Sequence, residues 1–209
     1  MNLAGALCLV AAVPVGWLAA KAASRLAEAR VPVAVMIGVE AGVALACVLL
    51  APPGAWLALL AAGWTLGMLA AVDVLALRLP DLVTAPLGLA GLILGPPLLH
   101  APLLDHLIGA AAGYAALAGI GFAYERLRGR DGLGLGDAKL LAVAGAWLGW
   151  RALPGVVLIA CAGGIAWAAV RLIRRGRAGL AEPIAFGAPL CAALWVVLLS
   201  TAAGLVPGP

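Results

Sequence analysis

The sequence predicts an all-α fold, a polytopic transmembrane bundle of about eight helices with a short sixth, and three observations carry that prediction. Of 209 residues, 66% are hydrophobic and 11% charged, with a mean hydropathy of +1.16, against ~45–50% apolar residues in soluble domains. Apolar stretches of roughly the ~20 residues needed to cross a ~30 Å hydrocarbon core recur along nearly the whole chain. Basic residues fall in the short gaps between those stretches, and they do so in every second gap. A water-soluble fold is excluded, and residues 1–209 form one membrane-embedded domain with no room for a separate soluble one.

The first span covers 3–20. Its apolar run ends in small residues, as a secretory signal does, but Lys21 and Arg25 follow the run instead of preceding it, so it is read as a retained helix. The gap KAASRLAEAR at 21–30 is a short loop. The second span, 31–50, carries Glu40 at its middle. The third, 55–77, carries Asp73 in its last turns, within continuous apolar sequence. The fourth, 82–99, begins directly after Pro80 and Asp81. The fifth covers 107–124 and is followed by a segment in which Gly132, Gly134 and Gly136 alternate before Asp137. The sixth covers 138–150, the seventh 155–173 and the eighth 184–206.

If these spans alternate in direction, 12 of the 13 basic residues lie on one side, and Arg151 alone on the other. The positive-inside rule makes the basic side cytoplasmic and puts both termini on the opposite side. Removing any internal span would destroy the segregation, so it supports the count as well as the orientation. The net charge of +4 and pI near 9.2 are thereby explained by topology, and no nucleic-acid partner is expected, because the basic residues do not gather on one exposed face.

Trp56, Trp147 and Trp150 are expected at the outer interface, where amphipathic rings are favoured. Gly91 with Gly95, Gly109 with Gly113, and Gly145 with Gly149 give small pairs one turn apart, which permit close helix contact in lipid. The four cysteines stand singly in apolar segments, with no spacing for zinc or redox chemistry, and read as small packing residues. No metal or cofactor is implied.

Chemistry is sought among the nine acids, because an ionisable group within lipid costs ~2.5–3.5 kcal/mol on insertion scales. Glu28, Asp105, Glu125, Asp131 and Glu182 lie in gaps and read as solvated or as helix-end charges. Asp81 is placed to cap the fourth helix and complement its dipole; the other reading is direct catalysis. Asp73 has no local cap to explain it and sits ~7 Å of helix rise inside the boundary marked by Arg78. Asp137 reads either as a helix-start residue after a flexible loop or as a chemical group beside a backbone open to positive φ. Taken together, Asp73 and Asp137 share side and depth. Two carboxylates converging there would share one proton, one serving as base to water and the other as acid to a peptide carbonyl.

The segment GLGLGDAKLLAVAGAWLGW resembles the GxGD motif of type IV prepilin peptidases, and AAVDVLALRLPDLVTAPLGLAGLI resembles that family's other aspartate motif. The two aspartates are 64 residues apart, which fits the family pattern, and the likeness covers roughly 31–200. By resemblance Asp73 and Asp137 are the catalytic pair of an aspartic endopeptidase. Its partners are prepilin or pseudopilin substrates with a basic leader and an apolar helix, and membrane lipid. The leader is removed at the cytoplasmic face of a bacterial inner membrane, for type IV pilus or type II secretion assembly. Gly134, Gly136 and Lys139 then belong to the substrate loop, with Lys139 either stabilising an anionic carboxylate or anchoring a helix end at the headgroups. Glu40 and Asp81 take supporting roles.

Two departures from the family pattern are expected to matter. Many members carry paired CxxC motifs between the first two helices, associated with zinc and methylation, whereas residues 21–30 hold no cysteine; a peptidase without that zinc site is expected, with methylation doubtful. Near the carboxyl end IAFGAP at 184–189 only partly matches a Pro-Phe-Gly-Pro pattern, and is expected to touch neither aspartate. His100 and His106 are read as solvated in an outer gap. A proton- or cation-coupled transporter is the alternative from another class; it expects acids along a path to the midplane, and Glu40 alone favours it. A non-catalytic scaffold would leave the paired acids and the glycine run without purpose.

Overall fold

In the computed structural model, which describes residues 3–129, 134–176 and 183–206, all the regular structure among the described residues is helical. The chain runs through α1 (Leu3–Ala27), α2 (Val33–Leu50), α3 (Trp56–Ala76), α4 (Asp81–Leu99), α5 (Leu103–Arg128), α6 (Leu135–Leu148), α7 (Leu153–Arg175) and α8 (Gly187–Ala202). Single 3-10 turns, Pro53–Ala55 and Trp150–Ala152, lead into α3 and α7. Among the described residues six helices are long and apolar enough to cross a membrane, while α6 has 14 residues and α8 has 16. Arg130, Asp131, Gly132, Arg177 and Glu182 lie outside the described residues.

The helix boundaries differ from the expected spans in two consequential places. α1 continues to Ala27 and takes in Lys21 and Arg25, which the sequence reading assigned to a loop; the Lys21 ammonium lies 3.6 Å from the centre of the Trp17 ring, a favourable cation–π contact. α5 begins at Leu103 and takes in His106.

The interior is built around α6, which packs on α4, α5 and α8. The glycine pairs make this possible. Gly109 of α5 rests directly on the Gly145 backbone of α6, and Gly113 on the carbonyl of Leu141. On α4, a Cβ at Gly91 would stand 2.6 Å from Trp147, so that helix accepts the indole only because the residue is glycine. Close approach in lipid relies on such small residues.

Trp147 is therefore a core residue, 1% exposed, with its indole N–H donated to the Leu87 carbonyl at 2.9 Å. Trp56 is likewise buried and donates to the Ala51 carbonyl. Both depart from the expected interfacial belt, because the surrounding helices enclose them and a buried indole needs an acceptor. Trp150 stays exposed and points its indole at Asp105, which also pairs with Arg151 at 3.2 Å. Arg78 meets Glu28 and the Leu26 carbonyl at the other end of the bundle. Exposed pairs of this kind contribute under ~1 kcal/mol each. Of the free cysteines, Cys47 and Cys191 are buried, Cys8 is half-buried and Cys161 is exposed.

Candidate active site

Asp73 sits one turn before the end of α3 and is 5% exposed. The helix stops there because Leu77 turns into the left-handed region at φ 52 while donating its N–H to the Asp73 carbonyl at 2.8 Å. A positive φ is uncommon for a leucine and costly enough to mark a constrained site.

The partner of the Asp73 side chain comes from the far end of the sequence. α8 begins without a side-chain cap of its own, which leaves its first N–H groups in need of acceptors. The Ala188 N–H donates to Asp73 Oδ2 at 2.8 Å, and the positive end of the helix favours a carboxylate there. Gly187 makes room for it, since a Cβ at that position would lie 2.8 Å from both Cγ and Oδ2 of Asp73. Arg171 of α7 holds the approach to α8 by donating to the Pro183 carbonyl at 2.9 Å. The IAFGAP segment thus does touch an aspartate, contrary to the sequence reading. A glycine just inside a helix start, beside a partial family motif, was the available signal.

Asp137 occupies the first turn of α6, ahead of the apolar stretch, and is half-buried. Its N–H donates to the Gly134 carbonyl at 3.0 Å. Gly134 has φ −67, so it supplies no left-handed turn. The glycines act through bulk: a Cβ at Gly136 would stand 3.3 Å from Leu79, and its absence lets the start of α6 close onto the α3–α4 turn. Burial first, and then the Asp73 carboxylate, push Asp137 up to about 6.

Both aspartates line one cavity of about 450 Å³. Gly134, Gly136 and Lys139 line it from the α6 side and Phe186 from the approach to α8. The structure thus brings together two carboxylates in one partly desolvated space. Like charges so placed hold one proton between them more readily than none. That state suits the two halves of acid–base hydrolysis.

The supporting residues are placed differently from expectation. Asp81 is the first residue of α4 and makes no capping hydrogen bond; its two oxygens instead receive Lys139 Nζ at 2.7 and 2.8 Å. Lys139 accordingly neutralises the carboxylate of Asp81 and not that of Asp137, because α6 packs on α4 and brings the two charges together. Glu40 is fully buried in α2 beside Gly67, with no hydrogen-bond partner for either carboxylate oxygen among the described residues, and does not line the cavity. His100 is exposed, as expected. His106 is fully buried, with Nδ1 2.9 Å from the Ala146 carbonyl; the longer α5 turns it inward against α6. Among the described residues no cluster of His, Cys, Asp and Glu could hold a metal ion.

Residues 59–169, which include both aspartates, match the family model described as the type IV leader peptidase family. The chain belongs to the type IV leader peptidase family. Its relatives include three proteins called prepilin leader peptidase/N-methyltransferase. That of Aeromonas hydrophila is 40% identical over 82% of this chain and 59% of its own length. That of Burkholderia pseudomallei (strain 1026b) is 46% identical over 70% and 47%, and that of Dickeya chrysanthemi 45% over 57% and 42%. The chain spans about half the length of these curated relatives. No solved structure matches it.

Proposed function

We propose that the chain is an aspartic endopeptidase that removes the leader peptide of prepilins or pseudopilins, acting at the cytoplasmic face of a bacterial inner membrane. The observation that carries this is the meeting of Asp73 and Asp137, from helices 64 residues apart in sequence, in one cavity at one end of the bundle. Family membership supports the substrate class. The gathering of 12 of 13 basic residues in alternate gaps supports the cytoplasmic face.

In this mechanism the ionised member of the pair takes a proton from water, whose oxygen bonds to the scissile carbonyl carbon. The protonated member gives its proton to the carbonyl oxygen. Collapse of the tetrahedral adduct breaks the carbon–nitrogen bond, and the amine leaves with a proton returned through the pair. The Ala188 N–H holds the Asp73 carboxylate in place, and Asp137, raised to about 6, is suited to hold the proton.

The test is co-expression with a candidate prepilin and mass analysis of leader removal. Asp73→Asn and Asp137→Asn are each expected to lower cleavage by ~10²–10⁴-fold, the usual contribution of a positioned acid or base. Processing by both variants at the wild-type rate would sink the assignment.

A further inference from the structure

A substrate of the proposed kind carries an apolar helix directly after the bond that is cut, and this helix must lie along the enzyme within the membrane. A lateral groove of about 540 Å³ runs between α4, α5 and α6. Small residues form much of it: Ala85 and Gly88 on α4, Ala110 on α5, Ala142 and Ala146 on α6. Leu89 and Tyr114 stand exposed at its rim. Small positions about one turn apart, as at the exposed Ala85 and half-buried Gly88, let a foreign helix approach backbone to backbone. From Asp81 to Leu92 the groove follows α4 for ~16 Å of helix rise, about three turns.

Its charged groups sit at one end only, where Asp81 and Lys139 pair. Lys139 also lines the catalytic cavity, so groove and cavity meet at this side chain. A second lateral groove, of about 400 Å³, lies between α2, α3 and α8 beside Val35 and Ala71, and shares no lining residue with the catalytic cavity. That groove passes Ala70 and Val74 on the α3 stretch that carries Asp73, but no side chain lines both it and the cavity as Lys139 does for the first groove.

We propose that the α4–α5–α6 groove docks the apolar helix of the substrate, its first turn beside the Asp81–Lys139 pair, so that the preceding peptide bond passes Lys139 to reach Asp73 and Asp137. The proposal rests on the peptidase reading. It assigns specificity to a surface separate from the catalytic pair: the groove selects the helix, and the cavity cuts what precedes it.

Two measurements on the full chain test it. The first places a photo-crosslinking residue at Leu89, or at Val35 in the second groove, in a chain also carrying Asp73→Asn. The probe is a synthetic peptide with a basic leader followed by an apolar helix of ~20 residues. Crosslinks to the peptide at Leu89 and not at Val35 are expected; crosslinks at Val35 alone, or lipid adducts only at Leu89, would overturn the proposal. The second fills the groove with Ala85→Leu or Ala142→Leu, at an exposed and a half-buried helical position. With the full probe KM is expected to rise about tenfold at nearly unchanged kcat, whereas a probe truncated just after the scissile bond is cut as by wild type, the pattern of lost uniform binding. Equal losses on both probes, or none on either, would refute docking here. Failure of the wild type to cut either probe would instead refute the peptidase reading, and the crosslinks still decide where the helix binds.

Discussion

Substituting Gly187 by alanine isolates the way α8 positions Asp73. The added Cβ would stand 2.8 Å from Asp73 Cγ and Oδ2 and 3.1 Å from Oδ1. Ordinary contacts between such atoms lie near ~3.5–4.0 Å, so the carboxylate or the helix start must shift by roughly 1 Å. A displacement of that size at a reacting group costs about 10²-fold in rate. It also stretches the 2.8 Å bond from the Ala188 N–H, and a hydrogen bond to a charged group contributes ~1.5–3 kcal/mol, or ~10–100-fold. Both routes give the same expectation: kcat about 10²-fold lower with KM little changed, because substrate contacts elsewhere are untouched. The assay is leader removal from a purified prepilin in detergent, with thermal unfolding followed in parallel. Gly42→Ala is the control, since nothing lies within 4 Å of the Cβ it would add. If Gly187→Ala keeps its kcat within about threefold of that control, the claim that α8 positions Asp73 is wrong.

Asp137 should couple folding to pH. Its folded value of about 6 is raised above the ordinary 3.8, so its contribution to stability is full below about 3.8 and is lost as pH rises through about 6. The thermal midpoint should decline over that window, and Asp137→Asn should flatten the decline; an unchanged slope would contradict the burial assigned to this group. Cleavage should fall over the same upper limb as the shared proton leaves. At the opposite end of the bundle, His106→Ala removes a buried ring and its bond to the Ala146 carbonyl. Its expected cost is ~2–4 kcal/mol, read as a lower unfolding midpoint, with kcat of the folded fraction unchanged.

Much of this is legible in the sequence itself. Span placement followed from apolar run length and from the gaps that hold the basic residues. Gly91, Gly95, Gly109, Gly113 and Gly145 fall where helices touch, because only a missing side chain lets backbones meet at those distances. What the sequence could not supply was rotation of each helix about its own axis. These helices are apolar on nearly every side, so the periodicity that marks an inward face in a soluble protein is weak. Trp147 is expected at the interface for that reason, His106 in solvent because α5 starts earlier than the apolar run shows, and the Asp81–Lys139 pair is not foreseeable from two residues 58 apart.

The same blindness hid the role of IAFGAP, where the departure from the family pattern is itself informative. A Pro-Phe-Gly-Pro segment laid over Phe186 and Gly187 would put proline at 188, and proline has no N–H to give. In this chain Ala188 supplies the donor that reaches Asp73 Oδ2. Both sequences keep Phe-Gly, and of the two it is the glycine whose missing Cβ leaves the space the carboxylate occupies. Space at 187 is therefore the more general requirement for seating Asp73, and the hydrogen bond from 188 is an addition that this sequence gains by lacking the second proline. The sequence offered the glycine and the departure together, but their meaning depended on knowing that α8 starts against the end of α3.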